Sequence, residues 1–119
     1  MEETIGEKQV EIYKEALSAI GYLSSLLLQG TLEDSLDFIT KEDKWFWDSR
    51  AFLPQKFSDN WVSIKLNLRK VVRRQKNDED GNVISNIESH VNQLTDEAQE
   101  EILKALKLQP ITVRRFPKT

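Results

Sequence analysis

The chain contains no cysteine, which excludes disulfides and thiolate metal sites. Its single histidine, His90, cannot form an imidazole pair, so a metal site would have to be built from carboxylates alone. Glycine is equally sparse. Gly6, Gly21, Gly30 and Gly81 stand far apart, and neither a GxGxxG fingerprint nor a GxxxxGK phosphate loop is present. Long hydrophobic runs are missing as well: the most apolar stretch, Leu23 to Leu28, is interrupted by Ser24 and Ser25 and falls far short of the roughly 20 residues that span a bilayer. No membrane partner is expected. The N-terminal residues lack the basic start and apolar stretch of a secretory signal, which sets a cytoplasmic location as the expectation.

Carboxylates are plentiful, yet Glu42 with Asp43, Glu100 with Glu101, and the Asp78-Glu79-Asp80 run read as solvated faces and a solvated loop. A glycosidase-type pair needs a cleft that sets one carboxyl pKa above the other, and a small helical domain seldom supplies one. The expectation is therefore a protein without cofactor, metal or enzymatic activity, with His90 on a helix surface.

What the chain does have is a change of charge along its length. Residues 1–44 carry ten Asp or Glu against four Lys, a balance of −6. Residues 45–76 carry eight Lys or Arg against Asp48 and Asp59, a balance of +6. The sign returns to −6 over residues 77–108, and Arg114, Arg115 and Lys118 bring the total to −3. A basic centre of this kind attracts phosphate or an acidic protein surface, or pairs with the chain's own acidic flanks.

At 119 residues the chain suits one domain with a real core. Val10, Tyr13, Leu17, Ile20, Leu23 and Leu27 recur every three or four residues, widened by Ile12, Ala16, Ala19 and Leu26, and predict a long first helix from about Gly6 to Gln29. Gly30 suits a left-handed residue just past its end. Thr31 offers an N-cap with Asp34 three residues on, and Leu32, Leu36 and Ile39 share a face, so a short second helix follows. Residues 40–57 carry Trp45, Phe46, Trp47, Phe52, Pro54 and Phe57 without a clean period, as in an irregular connection packed down by aromatic side chains.

The stretch 61–76 fits two templates. Val62, Ile64, Leu66 and Leu68 alternate with polar residues as in a half-buried strand. Trp61, Ile64, Leu68, Val71 and Val72 instead fall on one side of a helix, for which Ser58-Asp59-Asn60 supplies start chemistry. The helix is the preferred reading; the strand would give an α+β fold with a hairpin at Asp80-Gly81. Asn77 to Gly81 then reads as a polar loop. Ile84, Ile87, Val91 and Leu94 define a further helix face, and Thr95 caps a last helix carrying Ala98, Ile102, Ala105 and Leu106. The predicted architecture is an all-α bundle of four to five helices over residues 1–109, with an extended tail at 110–119.

On the helical reading Lys65, Arg69, Arg73 and Lys76 line one side of the basic segment, flanked by Lys70 and Arg74. Arginine grips phosphate with two parallel hydrogen bonds where lysine acts as a point charge, and bases of single strands stack on aromatic rings. These six cations, with Trp45, Trp47 and Phe116 as stacking platforms, are the candidate site for the backbone of RNA or single-stranded DNA, and the expected function is a helical accessory protein that binds it as a subunit of a larger ribonucleoprotein. The bland alternative packs the aromatics into the core and pairs the cations with the chain's own carboxylates. No RNP1 motif, GxxG loop or zinc finger occurs, so base-specific readout is not expected. The alternative function is a helical protein-binding adaptor or regulator steered by its acidic and basic faces. Self-association through the broad stripe of the first helix is a third reading.

Overall fold

The computed structural model describes the backbone of residues 2–77 and 81–118 and the side chains of residues 6–77 and 81–106. Among these residues five α-helices follow one another: α1 (Glu2–Gln29), α2 (Leu32–Lys41), α3 (Asp43–Ser49), α4 (Gln55–Lys76) and α5 (Gly81–Lys118). A 3-10 turn, Arg50–Phe52, joins α3 to α4. Among the described residues there is no strand, and Gly81 opens α5 where the hairpin reading needed a turn. α1 packs on α2 and α5, and α4 packs on the same two helices. Around the bundle the order is therefore α1, α2, α4, α5, with α1 and α4 on one diagonal.

Periodicity decides most of this. Ile12, Ala16, Ile20 and Leu23 of α1 meet Leu32 and Ile39 of α2, Ile64, Leu68 and Val71 of α4, and Val91, Leu94, Ala98 and Ile102 of α5 in one core. Val62 and Leu66, which the strand template would have placed beside Ile64 and Leu68, are exposed. A helix turns them roughly half a turn away from those core residues.

The chain turns from α1 into α2 in two residues. The Thr31 hydroxyl accepts from the Asp34 amide at 3.0 Å and the Asp34 carboxylate accepts from the Thr31 amide at 3.4 Å, the reciprocal capping box expected from the sequence. Gly30 acts differently from expectation. Its backbone stays outside the left-handed region and its N–H donates to the Leu26 carbonyl at 2.8 Å. A Cβ there would lie 3.0 Å from the same carbonyl oxygen, so the glycine is needed for close approach rather than for a positive φ.

The aromatic segment is more ordered than its sequence predicts. Glu42 ends α2 and begins α3, and the three consecutive aromatics of α3 point in three directions. Phe46 is fully buried and stacks on Trp61 at 5.5 Å, Trp45 meets Trp61 edge-on at 5.7 Å, and Trp47 is 52% exposed under the Arg50 guanidinium. Phe57 stacks on Trp61 from within α4. One indole thus holds α3 against α4.

α4 also begins earlier than predicted. Pro54, with fixed φ, sits at its N-cap, and Ser58-Asp59-Asn60 lie inside the helix. Asn60 is buried and donates to the Leu94 carbonyl at 3.2 Å, tying α4 to α5. α5 runs without the break expected at Thr95, whose buried hydroxyl donates to the Val91 carbonyl one turn back at 2.8 Å. The helix bounds continue over 110–119 except Thr119, the segment read as an extended tail; residues 107–119 lie outside the described side chains, and the domain boundary at 109 falls with them.

Trp61→Ala should destabilise the protein by about 3–5 kcal/mol in urea unfolding, the usual cost of emptying a buried aromatic site. The buried Trp61 Nε1–H has no hydrogen-bond partner among the described residues, so Trp61→Phe, which keeps a ring on Phe46, should cost far less. Equal losses in the two variants would contradict the packing described.

Burial raises the pKa of Tyr13 above its ordinary 10.0, against a smaller opposing effect of the Gln9 hydrogen bond. The unfolded chain then gives up this proton at a lower pH than the folded one, so the contribution of Tyr13 to stability is constant below about 10 and falls above it. Tyr13→Phe should flatten that alkaline decline, read as unfolding midpoint against pH.

Candidate functional site

The rotation of α4 set by Trp61, Ile64, Leu68 and Val71 decides which cations reach solvent. Arg69, Lys70, Arg73 and Lys76 are exposed, and none forms a hydrogen bond or ion pair with another described residue. The two remaining candidates are not part of this free set. Lys65 is only 15% exposed at its side chain and donates to the Asp43 carboxylate of α3 at 2.5 Å. Arg74 is half-buried and engaged in an interaction of its own. The expected six-cation line is thus four cations on the C-terminal half of α4, with Lys65 serving to hold α3. Asp43, read as part of a solvated face, is the partner that removes it.

The exposed face continues toward the N-terminus of α4 with apolar groups. Val62, Leu66, Arg69, Arg73 and Lys76 follow at i, i+4, i+7, i+11 and i+14, the spacing of one helical stripe. Leu66 is 54% exposed and Val62 36%. The sequence reading named these two side chains only in the strand template and gave them no place on the helix. The signal was present: on a helical wheel they fall with the cations and opposite Ile64 and Val71.

The aromatic candidates divide. Trp45 packs on Trp61 and donates its indole N–H to the Glu15 carboxylate of α1 at 2.9 Å, an acidic setting hostile to phosphate. Trp47 is open to solvent, with Arg50 5.1 Å above its ring. Phe116 lies outside the described side chains. His90 is exposed on α5, as expected. On α1, Ile12, Tyr13, Ala16, Ala19, Ile20 and Leu23 of the stripe are buried, Val10, Leu17, Leu26 and Leu27 are partly covered, and among the described residues of the helix the large apolar side chains left in solvent are Tyr22 and Leu28.

Comparison with protein-family models, curated proteins and solved structures finds no match to this chain. Among the described residues no cluster of three or more His, Cys, Asp or Glu is placed to hold a metal ion, and no helix is long and apolar enough to cross a membrane.

Proposed function

We propose that this protein is a non-enzymatic helical adaptor that docks an acidic, amphipathic segment of a partner protein on the outer face of α4. The observation that carries the reading is the stripe Val62, Leu66, Arg69, Arg73, Lys76, with Lys70 beside it. Its N-terminal half offers two apolar side chains to a partner's apolar face, and its C-terminal half offers charges to carboxylates. Helix recognition commonly uses such anchors at i, i+4 and i+7. The charges set orientation and encounter rate, while the buried apolar contacts supply affinity.

The backbone of RNA or single-stranded DNA is the second reading, favoured by the four cations without a carboxylate partner among the described residues. Leu66 and Val62 weigh against it as the principal role, since phosphate gains nothing from them. So does the loss of Lys65 and Trp45 to internal contacts.

The two readings separate in one experiment. The protein is immobilised and used to capture partners from an extract of its source, with nuclease added to half the sample. Capture should survive nuclease, and both Leu66→Asp and the Arg69→Glu/Arg73→Glu pair should reduce it by about tenfold or more while leaving helicity unchanged. Capture abolished by nuclease and indifferent to Leu66→Asp would overturn the adaptor reading in favour of nucleic acid.

A further inference from the structure

On the side of the bundle formed by α1 and α2, a groove of about 420 Å³ is lined by Glu15, Ser18, Ala19 and Tyr22 of α1, Phe38 of α2, Glu42 at the α2–α3 junction, and Trp45 of α3. The α1 residues stand at i, i+3, i+4 and i+7, so they form one stripe, and Phe38, Glu42 and Trp45 form the facing one at i, i+4 and i+7. Tyr22 and Phe38 are in edge-on contact, ring centroids 4.8 Å apart, and together close one end of the groove. Trp45 is fixed by its hydrogen bond to Glu15 and its contact with Trp61. The walls are thus aromatic and positioned before any ligand arrives.

The charge at the rim is of one sign. One oxygen of the Glu15 carboxylate accepts from Trp45, and Glu42 makes no side-chain hydrogen bond or ion pair with a described residue. No Lys or Arg lines the groove. A cation between aromatic faces is attracted by the ring quadrupoles, and a planar guanidinium can stack on a ring while presenting its N–H fork to a carboxylate. The same surroundings repel phosphate and carboxylate ligands.

We propose that this groove receives an arginine side chain of a partner protein, with the guanidinium stacked in the groove between the Tyr22–Phe38 pair on one side and Trp45 on the other, its N–H groups directed at Glu42 and the open side of Glu15. The proposal is independent of the α4 face: it concerns a different pair of helices, a ligand of opposite charge and a different probe. If both hold, the protein presents two faces of opposite sign to its surroundings.

The test uses the ¹⁵N-labelled protein, with the Trp45 indole resonance assigned through Trp45→Phe. It is titrated with a capped tripeptide, alanyl-arginyl-alanine, and with the same peptide carrying neutral citrulline in place of arginine. The arginine peptide should shift the Trp45 indole resonance saturably, and the citrulline peptide should bind at least about tenfold more weakly, the loss of a charge-assisted contact. Phe38→Leu should weaken arginine binding about 2- to 30-fold, the range spanned by exposed to desolvated cation–π contacts. Glu42→Gln should weaken it too and reduce its dependence on salt. That variant leaves the helix junction intact, because Glu42 caps α3 through its backbone without a side-chain hydrogen bond. No shift of the Trp45 resonance, equal shifts with the two peptides, or indifference to Glu42→Gln in a protein whose amide spectrum is otherwise unchanged would overturn the proposal.

Discussion

The packing of Phe46, Trp45 and Phe57 around the buried Trp61 is the constraint on which the rest depends. α4 could present any side to its neighbours as far as its backbone is concerned, because an isolated helix has no preferred rotation. A large ring on one side, filled against by two helices, removes that freedom. Once Trp61 points inward, Ile64, Leu68 and Val71 follow it into the core, and Val62, Leu66, Arg69 and Arg73 are turned to solvent. Lys65 lands beside Asp43 by the same geometry. Fold and candidate function are thus two consequences of one packing choice.

Charge segregation along the chain becomes partial neutralisation in the fold. An exposed pair such as Lys44 with Asp48 contributes little, on the order of a few tenths of a kcal/mol, because water screens it and both side chains lose freedom. The half-sheltered Lys65–Asp43 pair bridges two helices and so fixes α3 as well as a charge. Arg69, Lys70, Arg73 and Lys76 lie on α4, and the groove carboxylates Glu15 and Glu42 lie on α1 and at the α2–α3 junction. A partner carrying both signs would meet this protein in one orientation, since reversing it would bring like charges together.

How much of this is legible in the sequence depends on the range of the interaction. The α1 stripe and the Thr31–Asp34 capping box are read directly, because each rests on contacts within a turn or on one dominant period, whereas the inward positions of α4 follow from the preferred of two competing periods. α3 escapes because Trp45, Phe46 and Trp47 serve three environments, so no period emerges from seven residues. Thr95 misleads because a threonine hydroxyl satisfies an N-cap and a mid-helix carbonyl equally well; the unbroken spacing of Val91, Leu94, Ala98 and Ile102 was the better guide. For the site, Arg69, Lys70, Arg73 and Lys76 are placed outward as the sequence predicts. The pairing of Lys65 and the capture of Trp45 by Glu15 join residues 22 and 30 positions apart, and no local pattern announces them.

The account turns on the rotation of α4, and timed acetylation of lysines in the folded protein, followed by mass spectrometry, tests that most directly. Lys70 and Lys76 should modify at the rate of exposed amines, and Lys65 should lag them at least several-fold until Asp43→Asn releases it. Modification of Lys65 as fast as its neighbours, with the fold intact, would contradict the placement of α4 and the surfaces derived from it.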